Sequence, residues 1–311
     1  MSGPAQSLEV TAAGLSFQNP VVLAAGTAAY GRELAGVMNL DLLGGIVTKA
    51  VSVEPRPGAP APRVAEFDGG MINAVGLANP GLEAASSTEL PWLAANVRRA
   101  RVIVNVVGHE IEDFSTVVAR LDSAGGVDAF ELNVSCPNVR AGGMEFGADG
   151  AVLSALIGRV RRATARPLFV KLSPTLADIA NSARVAADAG ADGLSLINTI
   201  PGLVIDVASR RPALGFGSGG VSGPGLLPVG VLAVWKVSRA VRLPLIGVGG
   251  VMQGTDAVQY ILAGASLVGV GTAALRDPRA PERIAGEIRE WCDGNGISDL
   301  SQLVGALEWP S

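Results

Sequence analysis

The stretch LFVKLSPTLADIANSARVAADAGADGLSLINT, Leu168 to Thr199, shows the repeating unit of this chain. An apolar run, Leu168–Pro174, ends at a helix start signal, Ser173-Pro174-Thr175. The amphipathic stretch that follows runs through Ala187 and closes at Gly190, and a second apolar run spans Gly193–Thr199. Nearly continuous apolar runs are what strands look like when helices cover both faces of a parallel sheet. A strand, a helix and another strand imply parallel pairing through a crossover.

The unit recurs along the chain. Further strand-like runs are Val21–Thr27, Ile46–Ser52, Arg101–Gly108, Ala129–Cys136, Leu243–Gly250 and Ser266–Ala273, giving eight in all. Glu112-Asp113 opens one intervening helix, and Gly254-Thr255-Asp256 opens another that closes at Gly264. Eight such units predict an α/β fold, a (β/α)₈ TIM barrel occupying residues 1–311 as a single domain. An open doubly wound sheet is the competitor and normally needs fewer strands. Three segments exceed a simple barrel: Val53–Pro80, Asn138–Gly150 and Ile200–Pro224. Each follows a strand and has no periodicity of its own, so all three are expected as long loops at the C-terminal face, where barrels place active sites. Asn138–Gly150 carries Gly142, Gly143 and Gly147 and is expected to act as a lid.

Composition narrows the function. With 49% hydrophobic and 17% charged residues and a net charge of −4, the chain lacks the basic excess of a nucleic-acid binder. Its two cysteines, Cys136 and Cys292, lie too far apart for a disulfide framework or metal-ligand spacing, which fits the cytoplasm. The first charged residue is Glu9 and the first basic one Arg32, so no signal peptide is expected. The uncharged run Pro212–Trp235 contains three prolines and seven glycines. It reads as a loop leading into a buried helix, not as a membrane span.

Several motifs carry chemistry. Gly247-Val248-Gly249-Gly250 and Gly269-Val270-Gly271-Thr272 follow the seventh and eighth strands. Barrels often bind phosphate between these two loops, through backbone N–H groups that glycine leaves accessible. Tight turns alone would also use glycine. A GxGxxG match at Gly215, Gly217 and Gly220 follows no strand and opens no helix, so it is not a dinucleotide fingerprint. Of 24 basic residues only Lys49, Lys171 and Lys236 are lysine, and the first two end apolar strands. A buried ammonium needs a partner. That partner is an anionic ligand or reaction charge, or else a structural ion pair with Glu131 or Glu66. Asn73, Asn105, Asn133 and Asn198 lie at or after successive elements and suit a ring with alternating N–H and C=O groups, although a single Asn more often caps a turn. His109 is the only histidine and is read as a turn or cap residue. Cys292, beside Trp291, is read as a small buried apolar residue. In Glu131-Leu132-Asn133-Val134-Ser135-Cys136-Pro137-Asn138 the thiol ends a strand, where a base or nucleophile would sit.

Together these blocks resemble class 1 dihydroorotate dehydrogenases over essentially the whole chain. The resemblance rests on Thr48-Lys49-Ala50, Glu54-Pro55-Arg56 and Pro62-Arg63-Val64-Ala65-Glu66; on Asn73-Ala74-Val75-Gly76-Leu77-Ala78-Asn79-Pro80-Gly81; on Asn133 through Val139 with Gly142-Gly143 and Phe146-Gly147; and on the paired glycine loops. The wording of the cysteine loop is most similar to the 1B subclass. The resemblance implies FMN as cofactor, dihydroorotate and orotate as ligands, and NAD as final acceptor. It also implies a partner subunit carrying FAD and a 2Fe–2S cluster, two copies of each subunit, and a place in UMP synthesis. It makes Cys136 the base for C5, with hydride passing from C6 to the flavin. It assigns substrate binding to Lys49, Asn73, Ala74, Val75, Gly76, Leu77, Asn133, Asn198 and Thr199. It assigns cofactor binding to Ala25, Lys49, Ala50, Asn105, Asn133, Lys171, Ile197, Gly223, Gly249, Gly250, Gly271 and Thr272. Ala24-Ala25-Gly26 departs from the family's usual Ala-Ser-Gly and leaves only a backbone N–H at Ala25. Fumarate as acceptor (1A type), a dihydropyrimidine dehydrogenase-like activity and a non-catalytic FMN barrel are the alternatives.

Overall fold

A computed structural model of the chain describes residues 8–135, 137–138 and 144–310. Eight parallel strands close into a barrel: β1 Val21–Leu23, β2 Gly45–Val47, β3 Arg101–Val106, β4 Ala129–Asn133, β5 Leu168–Leu172, β6 Gly193–Leu196, β7 Leu245–Val248 and β8 Leu267–Val270. Each falls within or overlaps one of the eight apolar runs, and β8 pairs with β1 to complete the ring. The helices include α1 Arg32–Ala35, α2 Leu90–Asn96, α3 Ile111–Leu121, α4 Gly150–Arg161, α5 Ile179–Asp188, α6 Leu227–Ser238, α7 Gly254–Ala263 and α8 Ala280–Gly294, with short turns of helix at Gly81–Ala84 and Thr272–Arg276. None of the described helices is long and apolar enough to cross a membrane.

Burial on both strand faces explains the unbroken apolar runs. Outward-facing Leu23, Val104, Leu132, Val170 and Val268 pack with helix residues such as Phe114, Leu156, Ile261 and Ile288. Inward-facing Val22, Val47, Ile103, Ala129, Phe169, Ile246 and Leu267 form a separate plug. Ala12 and Phe17, from the hairpin Val10–Ala12/Leu15–Phe17, join this plug. Cys292 is 1% exposed on α8, as an apolar residue would be.

Helix limits follow the capping chemistry. Gln253 and Asp256 form a reciprocal capping box on α7, and Gly264 ends the helix with φ 117°. Helix α5 starts at Ile179, later than the Ser173-Pro174-Thr175 signal suggests. Asp178 caps it by accepting from Asn181 N at 3.0 Å. Ser173 instead accepts from Thr175 N at 3.3 Å in a local turn.

The segments Val53–Pro80 and Ile200–Pro224 are not plain loops. They contribute strands Val64–Phe67, Gly70–Asn73, Ile200–Gly202 and Gly219–Ser222 to one antiparallel four-stranded sheet. Glycine allows its close backbone approaches. A Cβ on Gly70 would lie 2.3 Å from Ser222 O, and one on Gly219 would lie 2.4 Å from Asn73 O. Within Asn138–Gly150, residues 139–143 lie outside the described residues, while Met144–Glu145 pairs antiparallel with Pro137–Asn138.

The plug has a direct test. Phe169 is fully buried, and its ring occupies the space that a Cβ on Gly193 would need, with Cε1 only 2.4 Å away. Phe169→Ala is expected to cost about 3–5 kcal/mol of stability. Denaturant unfolding should show a lower midpoint with an unchanged slope.

Candidate active site

The strand ends and the four-stranded sheet enclose a cavity of about 720 Å³. Strands β3, β4, β5 and β6 bring Asn105, Asn133, Lys171 and, just beyond the last, Ile197, Asn198 and Thr199 to its wall. Lys49 and Ala50 follow β2, and Ala25 follows β1. Asn73 arrives on the antiparallel sheet, not on a barrel strand, and leads into Ala74, Val75, Gly76 and Leu77. Gly223, Gly249, Gly250, Gly271 and Thr272 line another part of the same cavity. Cys136 lies outside the described residues; its neighbour Ser135 lines the cavity.

The amides are held in place. Asn198 Nδ2 donates to Asn133 Oδ1 at 3.4 Å, and Asn198 Oδ1 accepts from Thr199 N at 2.9 Å. Asn73 Nδ2 donates to Gly220 O at 3.2 Å, which ties the substrate-loop candidate to the sheet.

The two strand-end lysines have no ion pair among the described residues. Lys171 is 8% exposed. Glu131, a candidate counter-ion, is instead bonded by Asn105 Nδ2 at 2.6 Å and Ser195 Oγ at 2.5 Å. Glu66, the other candidate, is exposed. Burial, helped by the nearby charge of Arg63, pushes the Lys49 ammonium below the usual lysine range. Arg63 is itself tied to Ala59 O at 2.7 Å and Pro57 O at 2.8 Å.

At the glycine loops the backbone N–H groups of Gly249, Gly250, Gly271 and Thr272 donate to no acceptor among the described residues. Gly249 and Gly250 have φ of 127° and 77°, and Gly223 has φ 107°, values that favour glycine. Tyr260 Oη donates to Gly249 O at 2.8 Å and steadies the first loop, while Thr272 Oγ1 donates to Ser222 Oγ at 2.8 Å. This hollow of free N–H donors suits a phosphate. The GxGxxG glycines lie in and before strand Gly219–Ser222 and open no helix, and of the three only Gly220 lines the cavity. No group of three or more His, Cys, Asp or Glu among the described residues could hold a metal ion. His109 is exposed before α3, its backbone N bonded to Asp113 Oδ2 at 2.8 Å.

The sequence reading missed Glu145, Ser173, Ser195 and Ser222, and treated Glu131 only as a possible ion-pair partner. Glu145 and Ser173 line the cavity. The Glu145 carboxyl accepts from Ser173 Oγ at 3.4 Å, while its Oε2 is buried without a partner. No spacing signal marks it, because it reaches the cavity through pairing of Met144–Glu145 with Pro137–Asn138.

A family model described as dihydroorotate dehydrogenase matches residues 7–291. The chain belongs to the dihydroorotate dehydrogenase family. It is 48% identical to the dihydroorotate dehydrogenase B (NAD(+)) catalytic subunit of Pelobacter propionicus, over 97% of this chain and 98% of that one. It is 46% identical to the protein of the same description from Geobacter metallireducens, over 99% and 100% of the two chains. These likenesses place it in the B type of the family. Among solved structures, the Eimeria tenella enzyme in complex with ferulenol superposes with a TM-score of 0.78 at 25% identity, covering 96% of this chain and 88% of that one.

Burial pushes the Glu145 carboxyl above the usual range, against hydrogen bonds from Ser173 and Thr175 that lower it. It is harder to ionise in the folded chain than in the unfolded one. Its ionisation therefore costs stability above the unfolded pKa, and the cost vanishes below about pH 4, where both states are protonated. Glu145→Gln is expected to raise Tm near neutral pH and to leave it unchanged in that acid range. An equal gain at both pH values would contradict the assignment.

Proposed function

We propose that the chain is the FMN-bearing catalytic subunit that oxidises dihydroorotate to orotate in UMP synthesis. It would act in the cytoplasm as a single domain, passing electrons to NAD through a partner with FAD and a 2Fe–2S cluster, two copies of each subunit. The observation that carries this reading is the meeting, in one cavity, of four asparagines, two lysines without ion pairs among the described residues, and a glycine-lined hollow of N–H donors. The word "subunit" in the relatives' descriptions supports a partner.

The residues fit the cofactor. Gly223, Gly249, Gly250, Gly271 and Thr272 would hold its phosphate through backbone N–H groups. Ala25, Ala50, Asn105, Lys171 and Ile197 would border its ring. Lys49 and Asn133 would serve both ligands, since both line the shared cavity. FMN, when bound, supplies the acceptor for the hydride leaving C6 of the substrate.

The remaining chemistry belongs to the chain. Asn73, Asn133 and Asn198 offer donors and acceptors to the amide edges of the pyrimidine ring, with Thr199 and the Ala74–Leu77 backbone closing around it. Lys49 pairs with the substrate carboxylate or with charge developing at C4, and an anion beside it restores its proton affinity. Cys136 takes the C5 proton. A free thiol has a pKa of about 8.5, so turnover should rise as pH approaches that value. Lys171 offers its positive charge to the ring side.

Anaerobic mixing with dihydroorotate is expected to bleach the yellow protein, whereas dihydrouracil, which lacks the carboxylate, should not. NAD, with the partner present, should restore the colour faster than fumarate. Cys136→Ala should retain flavin and lose most turnover, and Cys136→Ser should be slower with its pH optimum displaced upward. Near-wild-type turnover in Cys136→Ala would refute the base.

A further inference from the structure

Glu131 is a carboxylate 2% exposed inside the barrel, where an unpaired charge is costly. It has no ion pair among the described residues. It meets two neutral donors: Asn105 Nδ2 on the adjacent strand β3 at 2.6 Å and Ser195 Oγ on β6, one strand beyond β5, at 2.5 Å. The first of these bonds holds the NH₂ end of the Asn105 amide at Glu131 and leaves Oδ1, which accepts from no donor among the described residues, available to the cavity that Asn105 lines. The Asn105 backbone is also held, with its N donating to Thr48 Oγ1 at 3.2 Å and its O accepting from Val51 N at 2.9 Å. At 1% exposure the side chain has little room to turn over.

We propose that Glu131 is a positioning residue that sets the polarity of the cavity wall: through Asn105 it presents a hydrogen-bond acceptor, not a donor, to the edge of the bound flavin ring. This rests on the reading of the cavity as a flavin site. An oxidised flavin ring carries a single ring N–H among several acceptors. An unconstrained asparagine could meet either kind of atom, whereas one held by a carboxylate meets the N–H.

The test is a double-mutant cycle on the full-length chain, stripped of flavin and titrated with FMN, with the midpoint potential of the bound flavin measured in parallel. Asn105→Ala and Glu131→Leu should each weaken FMN binding about ten-fold and shift the potential in the same direction. Because Glu131 acts through Asn105, the double variant should be no weaker than either single one. Additive losses, or a Glu131→Leu protein with wild-type affinity and potential, would overturn the proposal. Should Glu131→Leu not fold, Glu131→Gln replaces it in the cycle. Glutamine permits both orientations of the Asn105 amide, so a loss of about three-fold that disappears in the Asn105→Ala background is expected. Unchanged binding and potential in Glu131→Gln would refute the role. The outcome separates from the functional reading: a wild-type chain that binds no FMN sinks that reading, whereas a wild-type chain that binds it without coupling between the two residues sinks only the role of Glu131.

Discussion

A barrel of eight parallel strands has to fill its own centre, and this one does so with layers of opposite character. Val22, Val47, Ile103, Phe169, Ile246 and Leu267 make a dry plug. Nearer the C-terminal strand ends, Asn105, Glu131, Lys171 and Ser195 are nearly as buried but polar. Unmet polar groups at that depth would cost more than a barrel needs to spend on packing. Asn105, Glu131 and Ser195 satisfy one another. Lys171 has no such bond among the described residues and lines the cavity. The change from apolar to polar along the strands separates the scaffold from the candidate site.

The four-stranded sheet supplies what the barrel strands cannot. A strand end can place one or two side chains at the mouth, but enclosing the cavity also needs a wall beyond those ends. The sheet provides it, and Asn73 bonded to Gly220 O fixes how that wall meets the loop that follows. Gly76 and Leu77, with φ of 68° and 55°, turn this loop where it lines the cavity. Glycines at 70 and 219 let the strands of the wall approach one another more closely than any side chain would allow.

Much of this was legible from residue order. Apolar runs marked all eight barrel strands because both strand faces are buried, and the glycine loops after β7 and β8 were recognisable from composition and position. The lysines stood out because the chain otherwise uses arginine. The sheet was not legible. Gly219-Gly220-Val221-Ser222 and Gly70-Met71-Ile72-Asn73 show no clear alternation, since their pairing depends on segments about 150 residues apart meeting over the mouth. The start of α5 was misplaced because Ser173 and Asp178 are both credible caps, and only the folded chain shows which one bonds to the helix.

Residue order by itself determined the barrel, the strands that carry the candidate site and the residue types available for chemistry, because burial of both strand faces leaves a local, readable pattern. Only the tertiary structure decided how those residues combine. That Glu131 holds Asn105 and not Lys171, that Asn133 meets Asn198, and that Glu145 reaches the cavity at all are contacts between residues far apart in the chain. Which acceptor a buried donor finds depends on strand register and depth, and these exist only once the barrel has closed.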